Sequence, residues 1–157
     1  MDVEGCLREG FLQRMKVERD LIEKEFKEAK YDLGKAERAL EEGDFKWSIV
    51  KSYYSMFHAA RAVLFSLGFK ERRHFAIRVV LEDLSAKGEL EDRFISDFSA
   101  ALGAREDADY RYTYSQETAN YLLKAAGDFL ARMKKLTRRR GHNVGGIKKR
   151  LKEEGVI

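Results

Sequence analysis

The sequence predicts an all-α protein, an up-and-down bundle of four to five antiparallel helices, and three observations carry that expectation. There is no proline in 157 residues, so nothing breaks a long helix from within. Apolar residues recur at steps of three and four rather than alternating, which is the helical period. Glycines close the periodic runs, at Gly43, Gly68 and Gly88, where a left-handed cap residue is wanted.

Taken in order, Val3 to Met15 is a weak amphipathic stretch interrupted by Gly5 and Gly10, read as an arm or a short helix. From Lys16 to Glu42, the residues Ile22, Phe26, Ala29, Leu33, Ala36 and Leu40 line one face of a long helix. Asp44 is placed to cap a second helix, in which Trp47, Val50, Tyr54, Phe57, Arg61 and Leu64 repeat up to Leu67. Ile77, Val80, Leu81 and Leu84 mark a third helix, and Leu90, Phe94, Phe98, Ala101 and Leu102 a fourth. A polar, tyrosine-rich connector is expected over Arg105 to Tyr114. Ser115 then opens a fifth helix that carries Tyr121, Ala125, Phe129, Met133 and Leu136. Gly141, Gly145 and Gly146 suggest a flexible link after Thr137, with a last turn near Ile147 to Glu154. No strand pattern is read anywhere. The domain plan is an arm over 1–15, a bundle over 16–137 and a basic tail over 138–157.

Composition excludes several classes. With 44% hydrophobic and 37% charged residues the chain has enough apolar content to fold. No run reaches the roughly 18–20 apolar residues of a membrane span, and the first twenty residues lack a signal-peptide core, so a soluble, cytoplasmic protein is expected. One cysteine, Cys6, excludes an internal disulfide and a multi-cysteine zinc site. No GxGxxG, Walker loop, HExxH or CxxC occurs, so neither a cofactor nor a metal is expected. The net charge of +4 is uneven: Arg132 to Ile157 holds ten Lys or Arg against Glu153 and Glu154, a net +8, which leaves the body at −4. A tail of this kind either reaches for a polyanion or keeps the chain in solution.

Three clusters bear chemistry. Tyr53, Tyr54, Phe57, His58 and Arg61 sit on the second helix, where positions 54, 58 and 61 share a face. The tyrosines read as packing residues whose hydroxyls find partners, and the histidine as an interfacial residue or an acid–base group. The second cluster is Arg105-Glu-Asp-Ala-Asp-Tyr-Arg-Tyr112, where Arg105 and Asp109 can pair at i, i+4. The third is Arg72-Arg73-His74 at the entrance to the third helix. There cations oppose the helix dipole and call for an acidic neighbour, an anion or water.

Four segments together resemble prokaryotic HEPN-domain proteins: Ala36-Glu-Arg-Ala-Leu-Glu-Glu-Gly-Asp44, Ser52-Tyr-Tyr-Ser-Met-Phe-His-Ala-Ala-Arg61, Arg73-His74 and Ala104-Arg-Glu-Asp-Ala-Asp-Tyr110. The likeness covers about Lys16 to Lys135. It implies a four- or five-helix bundle, commonly a homodimer, often encoded beside a small nucleotidyltransferase and in several cases acting as a toxin. Several members are metal-independent endoribonucleases; others bind nucleotides or serve as non-catalytic partners. In the ribonucleases an arginine is followed after four to six residues by a histidine. Arg105 matches the arginine, but Tyr110 stands where the histidine is expected, and an unperturbed tyrosine is a poor general base at neutral pH. His58 or His74 is the candidate substitute. The resemblance thus implies a binding module for a nucleotide or a nucleotidyltransferase, with Tyr53, Tyr54, His58, Arg61, Arg73, His74, Arg105, Asp109 and Tyr110 as candidate contacts. The alternatives are a ribonuclease using Arg105, Tyr110 or His58, and a dimeric interaction protein without catalysis.

Overall fold

The computed structural model describes the backbone of residues 1–153 and the side chains of residues 1–138. In chain order the described elements are α1 (Val3–Arg8), β1 (Leu12–Arg14), α2 (Arg19–Glu41), α3 (Phe45–Ser66), β2 (Phe69–Glu71), α4 (Phe75–Ala86), α5 (Asp92–Tyr110) and α6 (Gln116–Glu153). The all-α expectation holds. None of the helices among the described residues is long and apolar enough to cross a membrane.

The antiparallel course can be read from side chains. Ser48 Oγ donates to the Ala36 carbonyl at 2.9 Å and Ser55 Oγ to the Ala29 carbonyl at 2.7 Å, so α3 runs back along α2 from the turn at Glu42–Asp44. A serine hydroxyl reaches a facing backbone carbonyl only where the two helices approach closely. Small residues on both sides, Ala29 and Ala36 against Ser48, Ser52, Ser55 and Ala59, allow it. Arg105 of α5 reaches Tyr54 of α3, and Lys46, eight residues earlier in α3, lies over Tyr112 just beyond α5, which sets these two helices antiparallel. Tyr121 Oη donates to Asp97 and Arg132 to Glu91, and so α6 descends along α5. Helices α2, α3, α5 and α6 form the up-and-down bundle, with α4 bridging α3 and α5.

The caps follow the sequence. Asp44 accepts from the Trp47 amide at 3.2 Å, and Ser115 Oγ from the Thr118 amide at 3.1 Å. Gly68 has φ +79°, and a Cβ there would stand 3.2 Å from the Met15 carbonyl oxygen, so both its backbone conformation and its close contact require glycine. The core centres on α3, with Ile49, Tyr53, Met56, Val63 and Leu64 packed among Ile77, Leu81, Phe98, Leu122, Phe129 and Met133.

Three local expectations are corrected. The chain does contain strands: β1 pairs antiparallel with β2, Leu12 opposite Glu71 and Arg14 opposite Phe69. Three-residue strands are too short to show a two-residue period. Arg105 to Tyr110 is not a connector but the last turns of α5, carried on by the buried Ala101 and Ala108; the connector shrinks to Arg111–Ser115. The backbone of α6 is helical through the segment read as a glycine-rich link. The side chains of the basic tail from Arg139 onward, and the end of the proposed last turn at Glu154, lie outside the described residues.

Candidate functional site

Two polar clusters lie on α3, each reached by a different set of neighbours. The first is built around Tyr53, one of the largest fully enclosed side chains, only 2% exposed. Its Oη shares a 2.7 Å hydrogen bond with Nε2 of His74, the residue that caps α4. The imidazole is nearly parallel to Phe57, at 5.5 Å and 10°, and to Phe98, at 6.3 Å and 13°. His74 as a residue is exposed, yet its ring packs against this aromatic wall. Burial, reinforced by the Arg105 charge, lowers the His74 pKa below the ordinary imidazole value, so the ring is neutral at physiological pH. Burial likewise raises the Tyr53 phenol far above its usual range. Near neutrality, therefore, neither group carries a charge.

Arg105 arrives from α5. Its guanidinium carbon lies 5.6 Å from the ring centres of both Tyr53 and Tyr54, its Nη2 donates to Tyr54 Oη at 3.5 Å, and its Nε donates to Asp109 Oδ2 at 3.1 Å. The i, i+4 spacing on α5 makes the Asp109 pair local, while the two rings fix the plane of the guanidinium. Although desolvation works against the charge, the neighbouring Tyr54, Asp109 and Tyr110 raise the Arg105 pKa further. The result is an oriented, permanently cationic group. It stands beside a stripe on α3 in which Trp47, Lys51 and Tyr54 follow at i, i+4 and i+7; Lys51 lies 5.9 Å over the Tyr54 ring. Lys46 lies over both Trp47 and Tyr112, at 5.9 and 6.0 Å. Trp47, Tyr110, Tyr112 and Tyr114 are all exposed, and Tyr112 takes a left-handed φ of 54° in the connector.

The second cluster faces α2. His58 places Nδ1 2.7 Å from Glu25 Oε2 and Nε2 3.6 Å from Asp32 Oδ2, and Lys51 Nζ stands 3.9 Å from Asp32 Oδ1. Arg61 pairs with Glu25 at 3.5 Å and with Glu71 of β2 at 2.8 Å; the latter contact has the distance of an ion pair without hydrogen-bond alignment. Burial raises the Asp32 pKa against the pull of Lys51 and His58.

The structure thus brings together Tyr53, Tyr54, His74, Arg105 and Asp109. His58 and Arg61 share the α3 helix but are engaged by α2 and β2. Tyr110, at the motif position, is 72% exposed at the end of α5. Arg73 is exposed, and its described hydrogen bonds are backbone ones, its amide donating to the Phe11 carbonyl and its carbonyl accepting from the Ala76 amide. Sequence reasoning missed Glu25, Asp32 and Glu71, the carboxylates that hold His58 and Arg61. An α2–α3 hairpin turning at Gly43 would have supplied two of them, since it sets Glu25 across from His58 and Asp32 across from Lys51. Among the described residues no group of histidine, cysteine and carboxylate side chains could hold a metal ion.

An up-and-down bundle whose central helix α3 lays its aromatic rings against an arginine oriented on α5 defines the class of protein as an all-α helical domain. The chain belongs to the HEPN-domain family, whose model matches residues 22–154. It is similar to a UPF0332 protein of Archaeoglobus fulgidus, 28% identical over 117 residues, which cover 73% of this chain and 94% of that protein. A UPF0332 protein of Pyrococcus horikoshii is 41% identical over 56 residues, 36% of this chain and 39% of that protein, so the match spans well under half the length of this relative. A Methanocaldococcus jannaschii protein named "Putative toxin MJ0142" is 27% identical over 111 residues, covering 64% of this chain and 76% of that protein.

Proposed function

We propose that the protein is a toxin-type HEPN module that binds a nucleotide at the corner formed by Arg105, Tyr54 and the Trp47 face of α3. The observation that carries this reading is the guanidinium of Arg105, oriented by Asp109 and two tyrosine rings, next to exposed aromatic faces interleaved with lysines. Arginine supplies bidentate phosphate contacts and the rings supply stacking surfaces for a base. The M. jannaschii relative's name supports the toxin class. Tyr110, Tyr112 and Tyr114 offer the same corner to a second copy of the chain or to a nucleotidyltransferase, tyrosine being favoured in protein contacts. Trp47 is the sole tryptophan, so its fluorescence reports on the site directly. Titration with a nucleoside triphosphate and with short single-stranded RNA is expected to quench it, the quenching weakening as salt rises and by about tenfold or more in Arg105→Ala. Quenching by neither ligand, or equal quenching in the variant, overturns the proposal.

One observation favours a second reading, a metal-independent endoribonuclease. His74 is linked to Tyr53, against which Arg105 also stands, so an arginine and an imidazole meet at one tyrosine without a histidine at the motif position. RNA cleavage in excess EDTA by the wild type, lost in both Arg105→Ala and His74→Ala, supports it. No cleavage by a folded protein that still binds nucleotide leaves the binding module.

A further inference from the structure

The N-terminal arm precedes the matched residues 22–154, and it is not loosely attached. Asp2 caps α1 by accepting from the Gly5 amide at 2.8 Å, and Cys6 is fully buried. The chain then turns, with the Phe11 amide donating to the Cys6 carbonyl at 2.9 Å, and enters β1 with Leu12 only 2% exposed. From there its described backbone hydrogen bonds to the rest of the chain go to one short stretch, Gly68 to Arg73. The Met15 amide donates to the Gly68 carbonyl at 2.8 Å, and the single carbonyl of Phe11 accepts from the amides of both Arg72 and Arg73, at 2.8 and 3.2 Å. The Phe11 ring meets Phe75 edge-on at 5.2 Å, and the Arg14 guanidinium lies over Phe69. In an antiparallel ladder bounded by the 11–72 and 15–68 bonds, Gln13 and Lys70 form the hydrogen-bonded pair between them.

That stretch is also where both clusters on α3 receive a residue from outside the four-helix bundle. Glu71 leaves β2 to pair with Arg61, and His74 begins α4 and pairs with Tyr53. The two residues flank Arg72 and Arg73, whose amides the arm holds. The corner has no other strand beside it among the described elements, and the Cβ-free close approach at Gly68 lies directly under Met15.

We propose that the arm Val3–Arg14 is a latch on the Arg105 corner, with Phe11 as its positioning residue. Docked, it fixes the Gly68–Phe75 turn so that His74 lies on Tyr53 and closes one side of the corner; released, it lets His74 and Glu71 leave α3 together. The role of the latch in ligand access rests on the nucleotide reading above, whereas the coupling between arm and His74 does not.

Each part has its own readout. The imidazole resonances of the full-length protein are titrated by NMR in the wild type, in Phe11→Ala, and in Gln13→Pro. The last removes a ladder amide from an exposed side-chain position and leaves the core residues intact. His74 is flanked by Tyr53, Arg105 and Glu106, with the aromatic rings Phe57 and Phe98 alongside. Freeing it from burial and from the Arg105 charge is expected to raise its pKa toward about 6.5. An unchanged His74 titration in a variant whose β1 amides exchange freely overturns the latch. So does retention of β1 protection in both variants, because a latch must open. If Phe11→Ala unfolds as a whole, Gln13→Pro decides. With His74 freed, Trp47 quenching by nucleotide is then compared: a wild type that does not quench fails the nucleotide reading alone.

Discussion

Replacing Tyr53 by phenylalanine removes one oxygen atom and nothing else from the centre of the fold. The ring still fills its place among Tyr54, Phe57 and Phe98, and Arg105 still lies against it. What disappears is the 2.7 Å bond to His74 Nε2, in a setting where Tyr53 is almost fully enclosed. A neutral hydrogen bond contributes about 0.5–1.5 kcal/mol net, and a buried partner left without one adds to the loss. The expected destabilisation is about 1–1.5 kcal/mol. For a chain of this size that lowers Tm by about 3–5 °C, and it moves the urea midpoint down by about 0.5 M at an ordinary denaturant slope. The built-in comparison is Tyr54→Phe. The Tyr54 hydroxyl accepts from Arg105 at 3.5 Å, the outer limit of a hydrogen bond, on a half-buried side chain. That variant is expected within about 0.5 kcal/mol of the wild type. Parallel urea melts followed by circular dichroism read both. Equal midpoints for the two variants, or a Tyr53→Phe midpoint at the wild-type value, refute the assignment of the Tyr53–His74 bond as a structural tie.

Two further outcomes can be measured on the same footing. Along the α2–α3 seam, Ser55 donates to the Ala29 carbonyl while the buried Ser52 hydroxyl has no partner among the described residues. Ser55→Ala should therefore cost about 1 kcal/mol in a urea melt, and Ser52→Ala should leave stability unchanged or improve it. The Asp32 carboxyl is raised by burial, so the folded state holds its proton more tightly than the unfolded chain does. Its contribution is full below the ordinary carboxylate pKa and is lost as pH rises through the higher folded value. The stability of Asp32→Asn relative to wild type should consequently improve as pH rises above the ordinary carboxylate pKa of about 3.9; a difference independent of pH contradicts it.

The four bundle helices were legible because each buries a face that repeats at three and four residues, as Ala29 and Ala36 do on α2 and Phe94, Phe98 and Ala101 on α5. The end of α5 was hidden by its own polarity. Arg105, Glu106, Asp107 and Asp109 read as connector, and only Ala108 carries the apolar period onward. The small sheet left no trace, because three residues do not define an alternation and the pairing joins segments more than fifty residues apart. Among the candidate site residues, Tyr53, Tyr54 and Arg105 were singled out from residue type and spacing. The choice between His58 and His74 was not, since it depends on tertiary placement. His58 meets the acidic face of α2, whereas His74 is delivered to Tyr53 by a turn that the N-terminal arm holds.

The serine contacts across α2 and α3 also bear on how the chain finds its fold. Only Glu42, Gly43 and Asp44 separate the two helices, so little chain entropy is lost in closing that turn. Ser48 and Ser55 each donate to a facing α2 carbonyl, of Ala36 and Ala29, so two hydrogen bonds along the seam mark one register. These polar contacts add to the apolar packing of α2 on α3 in favouring that register. A hairpin closed by so short a turn is the natural nucleus on which α5 and α6 condense. On this account the late-forming parts of the molecule are the α5 end that carries Arg105 and the turn that carries His74, and the corner they share is assembled last.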